Sequence, residues 1–342
     1  MGGDPRVGWP TFHQAALTPR TAPVGTVDHP LPLIVDSDPG LDDALAIAAA
    51  VVRPELRLLA VTSVGGNADV HHCTENALRL LELYGAGEVP VAEGAAGPLA
   101  GPLERATEVH GEAGLGRTVL PAAKRRPEPG GAVALMARIL DASPEPVAIA
   151  PIGPLTNIAL LLRSFPHLAA KIAHLSIMGG SIGEGNSSAS AEFNIFADPV
   201  AADIVFKSGV PITMIGLDVT HHAYVDRSVL PRLAALPGAS ARVATELLAF
   251  SFERSAEWGQ GERMAIHDLV AVLHLAVPDL VGVARYCVEI DATSGPARGR
   301  TIGDCSPYRL GRDGRVANCD VGLTIDRARF VDLLVETYAQ LP

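Results

Sequence analysis

Short apolar runs alternate with helical patterns along most of this chain. The strand-like runs lie at 33–35, 58–64, 147–150, 174–178 and 211–215, and the helical patterns at 42–52, 70–84, 155–162 and 199–207. Strands that alternate with helices of this length are typical of βαβ units. The pattern therefore predicts an α/β fold with a doubly wound, mostly parallel central sheet flanked by helices in a single domain. In such sheets ligands bind outside the carboxyl ends of the strands.

The charge and hydropathy of the chain argue against two classes of partner. Its 342 residues carry a net charge of -11, and the longest basic cluster is Lys124-Arg125-Arg126. We expect no nucleic-acid binding, because that binding relies on cationic contacts with phosphates. No window approaches the roughly 20 consecutive apolar residues that a membrane span needs, so we expect no membrane partner.

The cysteines and the first residues bear on the compartment. Cys73, Cys287, Cys305 and Cys319 show neither CxxC pairing nor regular spacing, which favours reduced thiols over a disulfide framework or a zinc site. The first residues lack a charged segment followed by an apolar one, the pattern of a secretion signal. We therefore expect a cytoplasmic location.

The chain divides into a short extension and one domain. Residues 1–29 contain Gly2-Gly3 and four prolines without sustained periodicity, which predicts a flexible N-terminal extension. Residues 30–342 show no convincing linker and no internal repeat, so we expect them to form a single domain.

Four carboxylates lie directly after the first apolar run, at Asp36, Asp38, Asp42 and Asp43. Alternation along a strand places Asp36 and Asp38 on one side, and the other two open the next helix. Capping by Asp42 or Asp43 is the ordinary alternative, but it does not account for four. Like charges at this spacing repel unless a cation lies among them. Carboxylates without nearby Cys or His suit Mg²⁺ or Ca²⁺, and bidentate carboxylates favour Ca²⁺.

Two further strand ends carry polar groups. Gly65-Gly66-Asn67 follows the second run, where the glycines allow close backbone approach to a ligand and Asn67 offers an amide. Pro151-Ile152-Gly153-Pro154 follows the third run, where carbonyls are candidates for coordination. A simple turn and a rigid loop with a helix cap at Thr156 or Asn157 remain alternatives.

Two later segments add candidate groups. If the chain is extended at Glu192 and Asn194, alternation places them on one face, where they can bond vicinal hydroxyls; a solvated loop is the alternative. His267 and Asp268 precede an apolar helical pattern, and an N-cap Asp beside an incidental His is the ordinary explanation of that pair.

These segments together resemble the inosine-uridine nucleoside hydrolase family, also called nonspecific ribonucleoside hydrolases. The resemblance runs from about residue 32 to the C-terminus, in the order and near the spacing of the family. Its blocks lie at 36–43, 64–67, 151–157, 178–198 and 267–268. It implies hydrolysis of the N-glycosidic bond of ribonucleosides to free base and ribose, in nucleoside salvage, by a homodimer or homotetramer.

The resemblance also implies a role for each site residue. Ca²⁺ would be bound by Asp38, Asp43, Asp268 and the main-chain carbonyl of Ile152. The sugar would be held by Asp42 and Asn67 at the ribose hydroxyls, by Asn186, Glu192 and Asn194 elsewhere, and by Met178 packing beside it. Asp36 would support the turn from behind, His110 would lie beside the base, and His267 would assist its departure. Ca²⁺ would acidify the attacking water and Asp38 would take its proton.

The segment 250–259 departs from the family pattern. Family members that act broadly on inosine and uridine carry tyrosines there, whereas this chain has Ser, Phe and Trp258. Trp258 could stack on a purine or simply pack in the helix, so the base preference stays open.

Two alternative functions are a phosphatase with a strand-end aspartate as nucleophile and a ribosyl-binding protein that keeps the metal but lacks turnover.

Overall fold

The computed structural model describes residues 17–18, 22–257, 259, 261–277, 279–312 and 314–342. Its strands are β1 (Leu31–Ser37), β2 (Leu56–Ser63), β3 (Val91–Ala92), β4 (Val147–Pro151), β5 (Ile172–Met178), β6 (Ile212–Ile215), β7 (Tyr224–Asp226), β8 (Arg263–Ala265), β9 (Val281–Ile290), β10 (Thr301–Asp304) and β11 (Cys319–Ile325). Its α-helices are α1 (Asp43–Val52), α2 (Val70–Leu83), α3 (Thr107–His110), α4 (Gly131–Ala142), α5 (Thr156–Ser164), α6 (Phe193–Ala197), α7 (Pro199–Phe206), α8 (Leu217–Thr220), α9 (Val229–Ala234), α10 (Ala239–Glu257), α11 (Asp268–Ala276), α12 (Pro307–Arg312) and α13 (Arg327–Ala339). A 3-10 helix spans Pro166–Lys171.

Nine strands of the described chain form one twisted sheet in the order β10-β9-β11-β6-β5-β4-β1-β2-β3. Strand β9 runs antiparallel to both of its neighbours, and the other pairings are parallel. β7 and β8 form a separate two-stranded antiparallel sheet. The predicted mostly parallel α/β sheet in a single domain is confirmed, and each predicted strand and helix is present within a few residues of its expected position.

Both faces of the sheet are covered by helices. Leu33 and Val35 of β1 belong to a core cluster with side chains of α1, α2, α10, α11 and α13, whereas Ile34 belongs to a second cluster with α4, α5 and α7. Alternate side chains of a strand point to opposite faces, so a strand buried on both faces must be apolar throughout. This explains why the strands lack polar alternation.

The packing of α1 against α11 positions the acidic groups. Residues 43–50 of α1 are all buried and are mostly alanine, which lets this helix pack closely between the sheet, α2, α11 and α13. α1 begins at Asp43 and α11 begins at Asp268. The two N-terminal ends therefore bring carboxylates together from distant parts of the sequence.

The predicted N-terminal extension, residues 1–29, lies mostly outside the described residues. Of its described part, the Thr18 amide donates to the Val283 carbonyl at 2.8 Å, and Ala22 is buried in the core. Within the described ranges, no helix combines the length and hydropathy that a membrane span requires.

Candidate active site

A cavity of about 870 Å³ opens at the carboxyl ends of the central parallel strands. Loops after β1, β2, β4, β5 and β6 reach it, and the N-terminal end of α11 closes one side. Its wall includes Asp42, Asn67, Ile152, Met178 and Asp268. Ligands of open α/β sheets bind at this edge, so the fold places the predicted groups where such a site is expected.

Asp36 lies behind the cavity in a buried hydrogen-bond network. Its Oδ1 accepts from Thr62 Oγ1 at 2.5 Å and from Asn157 Nδ2 at 2.8 Å, while its main-chain carbonyl accepts from Ile152 N at 2.8 Å. Burial raises the pKa of Asp36 from 3.8 to about 7, although both side-chain hydrogen bonds oppose the shift. Asp36 thus ties the end of β1 to the loop that follows β4.

Asp38 fits between the backbones of two glycines. A Cβ at Gly66 would lie 2.1 Å from Asp38 Oδ2, and one at Gly153 would lie 2.6 Å from Oδ1. Oδ2 accepts from Asn67 N at 2.7 Å, but Oδ1 is buried without a hydrogen-bond partner among the described residues. A buried carboxylate oxygen without a partner is costly, and a proton or a cation would remove that cost.

Asp43 is held by donors from three directions. Its Oδ1 accepts from Ser37 Oγ at 2.6 Å, and its Oδ2 accepts from Gly40 N and Asn67 Nδ2 at 2.9 Å each. Burial, together with the charge of Asp42, raises the pKa of Asp43 from 3.8 to about 6. The donors favour the ionised form, but burial outweighs them.

Asp42, Asp43 and Asp268 each present a carboxylate oxygen within 4.8 Å of the others. Burial raises the pKa of Asp268, and burial followed by the charge of Asp43 raises that of Asp38. Asp42, Asp43 and Asp268 form an acidic cluster able to hold a metal ion, and a cation there would favour the ionised carboxylates and could satisfy the unpartnered Asp38 Oδ1.

Two of the predicted metal ligands, Asp43 and Asp268, lie in this cluster, and the third member is Asp42. Asp42, predicted at the ribose hydroxyls, is as close to Asp43 and Asp268 as a ligand would be, and its Oδ2 accepts from His267 N at 3.2 Å. The Ile152 carbonyl accepts from Asn194 Nδ2 at 3.0 Å, so a metal at this carbonyl would compete with that amide.

Glu192 and Asn194 both line the cavity, but the alternation predicted to bring them together is wrong. Instead of alternating along an extended segment, Glu192 caps α6 and Asn194 lies in its first turn. Glu192 accepts from Asn194 N at 3.0 Å and from Gly180 N at 2.9 Å. Burial raises its pKa from 4.5 to about 7. Asn194 Nδ2 also donates to the Met178 carbonyl at 3.0 Å.

Asn186 and Asn67 reach the cavity from two other loops. Asn186 is exposed, and its Oδ1 accepts from Phe193 N at 2.9 Å at the start of α6. Asn67 uses its Nδ2 for the Asp38 carbonyl at 3.1 Å as well as for Asp43. The predicted sugar-binding groups therefore line one continuous wall.

His110 projects from the short helix α3 with a defined tautomer. Its Nδ1 accepts from the Leu41 amide at 3.1 Å, so the neutral ring carries its proton on Nε2. Burial lowers its pKa, which favours this neutral form. A Cβ at Gly40 would lie 2.3 Å from His110 Nδ1, so the glycine permits this contact. His110 is thereby a hydrogen-bond donor beside the acidic turn.

His267 precedes α11 and lies next to Asp268. Its Nδ1 is 2.8 Å from Thr220 Oγ1, and burial lowers its pKa to about 4. Its ring contacts the ring of His221, with centroids 5.9 Å apart. His221 lines the cavity but was missed by sequence reasoning. The sequence feature that could have identified His221 is its position after β6, which is another strand end of the same sheet.

The segment that departs from the family pattern forms part of the cavity wall. Ser251 and Ser255 of α10 line the cavity, whereas Phe252 is fully buried in the core. Trp258, for which stacking on a base and packing in the helix were the two alternatives, lies outside the described residues. Tyr224 of β7 also lines the cavity, so a tyrosine is supplied by another element.

Comparison with known proteins agrees with this arrangement. The sequence profile described as inosine-uridine preferring nucleoside hydrolase matches residues 33–332. The chain is 45% identical over 310 residues to the pyrimidine-specific ribonucleoside hydrolase RihA of Shewanella sp. (strain MR-7), covering 90% of this chain and 96% of the relative. It is 44% identical over 310 residues to RihA of Photobacterium profundum, covering 90% and 98%.

Solved structures have the same fold. The plant nucleoside hydrolase PpNRh1 superposes with a TM-score of 0.85 at 32% identity, covering 91% of this chain and 99% of the other. The purine-preferring ribonucleoside hydrolase of Gardnerella vaginalis superposes with a TM-score of 0.84 at 32% identity, covering 90% and 98%. With the acidic turn, the strand-end loops and the His267-Asp268 pair gathered at one cavity, the chain belongs to the inosine-uridine preferring nucleoside hydrolase family.

Proposed function

We propose that this nucleoside hydrolase is Ca²⁺-dependent and that Asp38 takes the proton from the attacking water. The observation that carries the proposal is the buried Oδ1 of Asp38, which has no hydrogen-bond partner among the described residues and lies beside the carboxylates of Asp43 and Asp268. An acceptor in this position is available to a water molecule and to a cation. A carboxylate whose pKa is raised is also a stronger proton acceptor than an ordinary one.

The donor set suits Ca²⁺ better than a softer metal. Asp38, Asp43, Asp268 and the Ile152 carbonyl would hold the ion, and all four offer oxygen. Asp42 is close enough to contribute or to remain with the sugar. When bound, the cation keeps these carboxylates ionised and makes the attacking water more acidic.

The side chains around the sugar would bind it and favour charge that develops during the reaction. Asp42 and Asn67 would receive the 2′ and 3′ hydroxyls, and Asn186, Glu192 and Asn194 would bind the remainder, with Met178 packed beside the ring. Breaking the N-glycosidic bond leaves positive charge near C1′. Negative and amide groups fixed in a cavity stabilise that charge without reorganising.

At the base end, His110 and His267 would polarise the departing base. The Nε2 proton of His110 is free to point at a base carbonyl because Nδ1 is occupied by the Leu41 amide. His267 is oriented by Thr220. We further propose a preference for pyrimidines, because the relatives at 45% and 44% identity are named pyrimidine-specific, whereas the purine-preferring structure is 32% identical.

A substrate panel with metal control tests the proposal. The purified enzyme is expected to release reducing sugar from uridine and cytidine faster than from inosine and adenosine in Ca²⁺, and to lose this activity in a chelator. Asp38→Asn is expected to lower kcat by roughly 10²- to 10⁴-fold, the range for loss of a general base. Release of phosphate from nucleotides would support the phosphatase instead, and tight nucleoside binding without turnover would support the binding protein.

Three further assignments stay predictions. They are the homodimer or homotetramer, testable by light scattering; the cytoplasmic location with a role in salvage; and the division into an extension at 1–29 and a catalytic domain at 30–342. A variant that lacks the first 29 residues is expected to keep kcat if the division is right.

A further inference from the structure

His221 lies beside the site without a role in the reaction proposed above. It directly follows α8, is exposed, and lines the same cavity. Its ring meets that of His267 edge to face, with centroids 5.9 Å apart and planes at 64°. The preceding residue, Thr220, bonds to His267 Nδ1 at 2.8 Å. Residues 220 and 221 therefore hold His267 by a hydrogen bond and a ring contact.

The backbone at His221 is held in place on both sides. Its amide donates to the Leu217 carbonyl at 3.1 Å, and the Leu217 amide donates to the Gly180 carbonyl at 2.9 Å. After it, the Ala223 carbonyl accepts from Ile266 N at 3.0 Å. A catalytic side chain is effective only when its supporting elements are rigid, and this segment meets that requirement.

The departing base needs a proton, and the group that supplies it must recover a proton from water in each turnover. His267 is half-buried, and its Nδ1 is engaged by the Thr220 hydroxyl. His110 is buried, and its Nδ1 is engaged by the Leu41 amide. His221 is exposed at the cavity wall, so its ring can reach both solvent and a bound substrate.

We propose that His221 is the proton donor to the departing base in the hydrolysis proposed above, on which this inference rests. The C1′–N bond breaks and its electron pair stays on the base, which takes the proton of the His221 imidazolium. The oxygen of water bonds to C1′, and its proton passes to Asp38. His221 then regains a proton from solvent, so the ring is reset for the next turnover.

Several charged and titratable side chains on neighbouring elements line the same cavity as His221. They are Asp42 before α1, His110 of α3, His222 beside it in the chain, Tyr224 of β7, Arg263 of β8 and His267 before α11. Among the described residues His222 makes no ring contact with His267, which makes it a matched control for the chemistry of a neighbouring imidazole.

The test compares two ribosides in the Ca²⁺-loaded enzyme. From uridine the leaving group is uracil, which is poor and needs a proton, whereas p-nitrophenyl β-D-ribofuranoside releases a stable p-nitrophenolate that does not. His221→Gln is expected to lower kcat for uridine by roughly 10²-fold, the lower end of the range for general acid catalysis, and to leave kcat for the nitrophenyl riboside within about threefold. His222→Gln is expected to leave both within about threefold.

Two further measurements separate chemistry from folding. The pH profile of kcat for uridine is expected to lose its basic limb in His221→Gln, because the acid has been removed. Added imidazole is expected to restore uridine turnover to His221→Ala, which a folding defect would not allow.

The outcomes distinguish this inference from the proposed function. Equal losses on both ribosides, a change in KM alone, or no loss on uridine would each overturn the assignment of His221. If the unmodified enzyme hydrolyses neither riboside, the proposed function itself fails. If the unmodified enzyme hydrolyses both ribosides but His221→Gln shows no selective loss of uridine turnover, the proposed function stands and the inference does not.

Discussion

If the enzyme binds Ca²⁺ as proposed above, removal of the ion is expected to destabilise it more at high pH than at low pH. Burial raises the pKa of Asp43 from 3.8 to about 6, and raises the pKa values of Asp38 and Asp268 as well. In the metal-free protein, a carboxyl whose pKa is raised by folding contributes its full share to the free energy of unfolding below about pH 4, where the carboxyl of the unfolded chain is protonated too. This contribution is lost as the pH rises through the pKa of the folded state. A bound cation cancels this loss by favouring the ionised forms.

The magnitude follows from the pKa of Asp43. At about pH 5, one unit below a folded pKa of about 6, calcium must displace a proton at a cost of about 1.4 kcal/mol. At about pH 8 this cost vanishes. With an unfolding entropy of about 2 cal/mol/K per residue, a 342-residue chain changes its Tm by about 2 °C for that energy. Asp38 and Asp268 act in the same direction, so about 2 °C is a lower bound.

Thermal melts with saturating Ca²⁺ or with a chelator, at about pH 5 and about pH 8, measure this difference. The increase in Tm caused by Ca²⁺ is expected to be larger at the higher pH. In Asp43→Asn the metal-free Tm is expected to depend less on pH, because one titrating carboxyl is gone. A calcium effect that is equal at both pH values, or larger at the lower one, would refute the reasoning from buried carboxylates.

Three other outcomes are expected. Gly66→Ala should abolish the Ca²⁺ effect on Tm, because its Cβ would lie 2.1 Å from Asp38 Oδ2, whereas Gly97→Ala should preserve it, since the nearest atom is 3.7 Å away. Arg254→Ala should raise KM several-fold, because Arg254 of α10 donates through Nε to the Glu108 carbonyl of α3, the helix that carries His110, at 3.0 Å. Arg242→Ala, also on α10, should not. Mg²⁺ should raise Tm less than Ca²⁺, because it demands six ligands in a strict octahedron.

The sequence alone determined the fold class and the location of the acidic turn. Apolar runs alternating with helical patterns predict a mostly parallel sheet with helices on both faces, since strands buried on both faces have no polar side. A carboxylate cluster after the first run then has to lie at the carboxyl edge of that sheet. These conclusions depend on local periodicity, which is written in consecutive residues.

The tertiary structure decided which groups meet. Asp43 and Asp268 bring carboxylate oxygens within 4.8 Å of each other because the alanine-rich α1 packs closely against α11, and no local pattern specifies that pair of helices. Glu192 and Asn194 adopt a helix cap rather than an extended segment, so the right neighbours were expected for the wrong reason. His221 reaches the cavity only through the path of the chain after β6. Contacts between distant segments depend on how helices pack on the sheet, and this packing is a property of the whole fold rather than of any short stretch.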